Sequence, residues 1–271
     1  MNLITQFWRD PAMPYAESRR ACHSRACYKP HSHPTFSIGA VDQGVSCFTG
    51  AAEGPLTLQA GTLVFVPAFC VHACNPELGT AWSYQMLHLD ADWLQAVRAE
   101  CAPENMKNRE NEPIRIVAEP AIYVRFCRLN TLLFSQIDPR DKEAALIEFI
   151  GEWDEGRGQR ISTRVISPNL GRQIDPILDL LQEKPAINMD LSDLAQLAGM
   201  SRYQLIRAFR AATGMTPHAW QLNQRINLAR EWIRTGEGLA EVAYRLGFAD
   251  QAHFQRVFKA HAGITPGGFR T

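Results

Sequence analysis

The sequence predicts an α+β chain of two domains, a β-rich first half and an all-α final hundred residues. Three observations lead there. From Tyr28 to Leu89, short apolar stretches are broken repeatedly by Gly and Pro, the pattern of strands at close spacing. Beyond Asp92 the apolar residues recur at helical spacing. Near the C-terminus a stretch of sequence is repeated with a period of about 49 residues. A length of 271 residues suits two domains with separate cores.

Composition narrows the class. Hydrophobic residues make up 46% and charged ones 21%, as in soluble globular proteins. No apolar run approaches the roughly 18 residues of a membrane-spanning helix. Met1 to Arg9 is short and meets Asp10-Pro11 directly, so no secretion signal is read. These features predict a cytoplasmic protein without a membrane partner. The seven cysteines (22, 27, 47, 70, 74, 101 and 127) contain no CxxC pair and are expected as small buried hydrophobes rather than disulfides. Net charge is zero, but from Gly171 onward there are 12 Lys+Arg against 9 Asp+Glu, and before it 16 against 19. A basic C-terminal part suits a polyanion, though +3 alone says little.

In chain order, the expected strands are Phe36–Gly39, Val45–Phe48, Pro55–Leu58, Leu63–Val66 and Trp82–His88, enough for a small β-barrel or sandwich. Two helices are expected next. Ala121–Gln136 carries Ile122, Phe126, Leu129 and Leu133 on one side, and Asp141–Trp153 carries Leu146, Ile150 and Trp153. Gly156 to Gly171 is polar and rich in Gly and Ser, and reads as a linker. The resulting division is a domain over 1–155, a linker over 156–171 and a second domain over 172–271.

The repeat pairs Leu194-Ala195, Gly199, Leu205–Arg210 and Gly214-Met215-Thr216-Pro217 with Val242-Ala243, Gly247, Phe254–Lys259 and Gly263-Ile264-Thr265-Pro266. Each copy makes sense as a helix-turn-helix. Ala195 and Ala243 are small where two helices cross, and Gly199 and Gly247 can end the first helix in the left-handed conformation. Ser201 and Asp250 are good N-caps for the second helix. Leu205 with Phe209, and Phe254 with Phe258, bury one face. Gly-x-Thr-Pro then stops that helix and starts another. Between the copies, Pro217 to Thr235 is compatible with one continuous helix, whose 19 residues would span about 28 Å. Second helices that read one face of a duplex lie about 34 Å apart, so a stiff spacer of this length can serve two successive major grooves.

From Leu191 to Arg270 the chain resembles the AraC/XylS family of transcription regulators. The second copy carries the signature: Ala243, Gly247-Phe248, Phe254, Arg256-Val257-Phe258-Lys259, Gly263 and Thr265-Pro266. Phe269 stands where the family commonly has Tyr. The resemblance implies a cytoplasmic regulator that binds double-stranded promoter DNA and contacts RNA polymerase, often as an activator. In the first copy the exposed face of the second helix offers Arg202, Tyr203, Gln204, Ile206, Arg207 and Arg210. Of these, Tyr203, Ile206 and Arg207 fall where the family reads bases. In the second copy Gln251, His253, Gln255 and Arg256 take those places. Arg210 and Lys259 share a repeat position and suit phosphates, which position without specifying. Arg207 and Arg256 recur in both copies, and ion pairs within each unit are the alternative reading of them. No acid lies between Ser201 and Thr213, which favours DNA.

His31-x-His33 and Gly61-x5-Pro67-x4-His72 resemble the two motifs of the cupin barrel over about sixty residues. This matches the arabinose-binding type of sensor domain, with the helices after it implying a homodimer; packing of those helices on the barrel explains them as well. The expected fold is therefore a cupin-like barrel with a helical dimerisation segment, then a double helix-turn-helix domain. The expected effector is a small polar molecule near His31, His33, Phe36, Phe65, His72 and Trp82. A cupin metal site adds a Glu, and that position falls near Ser37 or Ile38, neither of which binds metal. No cofactor or metal is therefore expected, although three imidazoles with Cys or water would suffice for a transition ion. The spacing of Cys22, His23 and Cys27 matches no standard zinc pattern. A cupin-type metal-dependent enzyme with an appended DNA module is the alternative; no catalytic residue is expected.

Overall fold

The computed structural model describes residues 4–52, 54–101, 112–153, 158–161 and 168–270. They form two compact units. The first follows the N-terminal half, except that Cys27–Ser32 and Val71–Ala73 belong to the second, together with the helical C-terminal part.

In the first unit an antiparallel seven-stranded sheet has the order β1-β2-β8-β3-β6-β9-β10, and a three-stranded sheet the order β5-β4-β7. The strands are β1 (Ile4–Arg9), β2 (Ala16–Ser24), β3 (Phe36–Gln43), β4 (Val45–Thr49), β5 (Leu56–Gln59), β6 (Leu63–Val66), β7 (Ala73–Pro76), β8 (Trp82–Leu89), β9 (Ile114–Val117) and β10 (Gln159–Ile161). Side chains alternate between the faces of a strand, and here the two faces have different partners. Phe36, Ile38 and Ala40 of β3, Leu63 and Phe65 of β6, and Leu87 and Leu89 of β8 join one core with helices α1 (Ala91–Cys101), α2 (Pro120–Leu133) and α3 (Pro139–Trp153). The helices contribute Ile122, Phe126, Leu129, Leu133, Leu146, Phe149 and Ile150. The other face carries Ser37, Tyr84, Met86 and His88, with Trp82 stacked on Tyr84 at 4.3 Å. All four residues of β6 are buried, which explains why it reads as a continuous apolar run.

All five expected strands and both expected helices are present, with ends shifted by a few residues. The stretch read as a linker contains more structure than its composition suggests: Gln159–Ile161 pair with β9, and α4 (Pro168–Glu183) begins inside it.

The second unit adds α5 (Leu191–Leu197), α6 (Arg202–Thr213), α7 (Pro217–Arg234), α8 (Leu239–Arg245), α9 (Gln251–Ala262) and α10 (Pro266–Arg270). Gly199 and Gly247 close α5 and α8 at φ of 62° and 70°, and Gly214 and Gly263 close α6 and α9 at 79° and 70°. A side chain at these dihedrals would be strained, so the repeated glycines are backbone requirements. The Ser201 hydroxyl caps α6, Thr216 caps α7 with Pro217 at its first turn, and Asp250 caps α9. Ile174, Ile177 and Leu181 of α4 pack with Leu194, Leu205, Phe209 and Trp220. The spacer helix α7 has 18 residues, about 27 Å, and packs against α6, α8, α9 and α10.

Candidate nucleic-acid interface and sensor residues

In α6 the apolar stripe Leu205 and Phe209 is fully buried, which turns the rest of the helix outward. Arg202, Tyr203, Gln204, Arg207 and Arg210 are exposed and Ile206 is half-buried. Tyr203, at 69% exposure, lies under the Arg207 guanidinium at 5.7 Å, one helical turn away. In α9 the same logic buries Phe254 and Phe258 and exposes Gln251, Gln255, Arg256 and Lys259. His253 is half-buried, its ring edge-on to Phe248 at 5.5 Å. Among the described residues neither Arg207 nor Arg256 forms an ion pair, so no carboxylate of the fold neutralises their charges.

One residue on the outward face has a second task. The Gln204 side-chain oxygen accepts the Ser201 backbone N–H at 2.9 Å, and the Ser201 hydroxyl accepts the Gln204 N–H at 3.2 Å. This capping box occupies the acceptor with which Gln204 would read an adenine.

Of the six sensor candidates, His31, His33 and His72 come together: all are buried, and each offers a ring nitrogen within 4.8 Å of the others. Trp82 is buried beside Tyr84, on the sheet face away from the helices. Phe36 and Phe65 are not with them; both lie in the core that joins the sheet to α2 and α3. Three imidazoles are enough donors for a transition ion. Of the two residues near the position of the missing cupin carboxylate, Ile38 is buried in the core and the Ser37 hydroxyl is 2.9 Å from His88 Nδ1. Of the cysteines beside the motif, Cys22 and Cys27 are exposed. Burial pushes the Cys74 thiol up to about 12 and the Cys70 thiol to about 11, which keeps both protonated and unreactive.

Comparison with known proteins decides the family. The AraC-like ligand binding domain matches residues 14–150, half of the chain, and a helix-turn-helix domain matches 194–271. The chain belongs to the AraC family. It is 22% identical over 223 residues to the HTH-type transcriptional regulator YbfI of Bacillus subtilis, covering 82% of this chain and 80% of that protein. It is 36% identical over 84 residues to the arabinose operon regulatory protein of Escherichia coli, covering 31% of this chain and 29% of that one. The chain also covers 38% of MtrA of Neisseria gonorrhoeae, at 28% identity over 48% of its own length. Among solved structures, ToxT of Vibrio cholerae superposes with a TM-score of 0.57 at 13% identity, over 100% of this chain and 98% of that one; the fold is shared.

An AraC-type regulator combines a ligand-binding domain with a DNA-binding helix-turn-helix domain, and this chain has both. Its relatives named above are transcription regulators. No helix among the described residues is long and apolar enough to cross a membrane. Sequence reasoning missed several residues that order the second unit. Arg225 reaches the Pro185 carbonyl and Asn188, and Asn223 binds Ser32. Arg245 stacks on Trp232 at 3.9 Å. Polar residues on a mostly buried helix were the available signal.

Proposed function

We propose that α6 and α9 read bases in two successive major grooves of a promoter. Tyr203, Ile206 and Arg207 serve the first groove; Gln251, His253, Gln255 and Arg256 serve the second. Arg202, Arg210 and Lys259 bind phosphates, and Gln204 supports α6 while lying at the same face. The observation that carries this reading is the pair of outward arginines, Arg207 and Arg256, exposed at equivalent repeat positions. A structural arginine in such a unit would instead be matched by a carboxylate. Arg is suited to bidentate contact with guanine and Gln to adenine.

A small-molecule effector of the N-terminal domain controls that binding, with His31, His33, His72 and Trp82 near it and Phe36 and Phe65 in the layer behind. By linkage, the effector acts only to the extent that it binds two arrangements of the protein unequally. The protein acts in the cytoplasm as a homodimer paired through its helical segment and contacts RNA polymerase; it catalyses no reaction. Hydroxyl-radical footprinting of the full chain on its own promoter region tests the DNA reading. Two protected patches on one face of the duplex, about 10–10.5 base pairs apart, are expected; a single patch, or uniform protection, contradicts it.

A further inference from the structure

The two outward-facing helices are built alike, so each serves as a control for the other. α6 and α9 both have 12 residues, begin after a side-chain cap at Ser201 or Asp250, and end on a left-handed glycine, Gly214 or Gly263. Equal positions therefore carry equal geometry. Arg202 corresponds to Gln251, Tyr203 to Ala252, Arg207 to Arg256 and Arg210 to Lys259, and all eight side chains are exposed. Both copies hold the arginine. One turn before it, the first copy has an aromatic ring and the second only a methyl group.

Tyr203, with 69% of its surface exposed, adds little to the core. What it touches is Arg207, whose guanidinium lies 5.7 Å from the ring centroid, within cation–π range. The helix favours this arrangement. A long helical side chain leans back over the preceding turn, which brings residue 207 over residue 203. Arg210, three residues further on, repels Arg207 from the other side. α6 contains no carboxylate to compete for the guanidinium, and the Gln204 side-chain oxygen is taken by the Ser201 N–H.

An arginine in solvent samples many rotamers, and fixing one of them on binding is costly. Stacking covers one face of the guanidinium plane and leaves the N–H groups at its rim, where the fork meets guanine O6 and N7. A ring at 203 thus lowers the ordering cost of a bidentate contact without making that contact itself. Ala252 gives Arg256 no such surface.

We propose that Tyr203 is a positioning residue for Arg207: its ring holds the guanidinium ready for one guanine, and gives the first unit a sharper preference at its arginine than the second has at Arg256. The inference rests on the reading of α6 and α9 as base-reading helices.

The test uses the full chain, the duplex it selects from a random library, and single-base variants of that duplex, titrated by fluorescence anisotropy. Arg207→Ala and Arg256→Ala first identify the base pair that each arginine reads. In the wild type, discrimination is expected to be greater at the Arg207 pair. Tyr203→Ala should lower it there roughly two- to fivefold, with affinity for random duplex and the salt slope unchanged. Tyr203→Phe keeps the ring and should discriminate as the wild type does. In the Arg207→Ala background, Tyr203→Ala should cause no further loss, as expected of a residue acting through its partner. Equal losses in Tyr203→Phe and Tyr203→Ala overturn the proposal in favour of a contact by the hydroxyl. Additive losses in the double variant overturn it in favour of an independent contact with DNA, and weaker binding of all duplexes alike in favour of a phosphate contact. Unchanged discrimination in Tyr203→Ala, or equal discrimination at the two arginine pairs in the wild type, overturns it outright. Failure of the base-reading assignment looks different, because Arg207→Ala then relaxes no base pair at all.

Discussion

Ser201 and Gln204 hold the start of α6 by exchanging hydrogen bonds, each side chain taking the other's backbone N–H. The residue three places into a reading helix is thereby committed to the fold. Ser201→Ala should cost about 1 kcal/mol of stability, measurable by urea unfolding. Gln204→Ala should lower stability while leaving base preference in a binding-site selection unchanged. A changed preference at one base pair would return Gln204 to the reading residues.

Arg207 and Lys259 separate specificity from affinity. Both are exposed, but Arg207 sits where the helix meets base edges and Lys259 where it meets the backbone. Arg207→Ala should cost roughly 1–3 kcal/mol on the preferred operator and relax one base pair. Lys259→Ala should weaken all sequences alike and reduce the salt slope by about one. Quantitative binding to a set of single-base operator variants checks this; identical profiles for the two variants contradict the division of contacts.

Asn223 is 1% exposed and bonds to the Ser32 N–H, carbonyl and hydroxyl. Asn223→Ala leaves those groups without that partner, and should cost about 1–3 kcal/mol. Unfolding of the full-length variant, followed by circular dichroism, measures the loss. A change within about 0.5 kcal/mol, usual for surface positions, would show that residues 27–32 add nothing to the stability of this unit.

His261 makes stability depend on pH with a definite sign. Its imidazole is held down to about 4 when folded and returns to about 6.5 when unfolded. Between those values the unfolded chain binds the extra proton, so stability rises with pH there. The contribution is full above about 6.5 and is lost as pH falls toward 4, on the order of 3 kcal/mol. In chloride buffer, urea midpoints between pH 5 and 7 should rise less steeply for His261→Gln than for the wild type. Equal slopes would mean that His261 is not a buried neutral imidazole.

What was legible in the sequence follows from how local each cause is. The helix-turn-helix units rest on short-range backbone chemistry, left-handed glycines at 199, 214, 247 and 263 and caps at Ser201, Thr216 and Asp250, so a single sequence displays them. Strands β3, β4, β6 and β8 announce themselves by apolar patterning. Strands β1 and β2 do not, because Arg9, Glu17, Arg19 and Arg20 mask them; in the fold Arg9 pairs with Glu17 at 2.6 Å, and Arg19 lies over Phe7 and Tyr84. Pro176 inside α4 likewise disguised a helix that buries Ile174, Ile177 and Leu181. Aromatic character suggested Phe36 and Phe65 as sensor residues, whereas strand alternation assigns them to the core with α2.

The most direct test compares binding of the full chain to its own promoter region and to random duplex at one fixed salt concentration. Sequence-specific reading by α6 and α9 predicts a preference of at least about 10³. A ratio near one, with both duplexes bound through phosphates alone, would contradict the account.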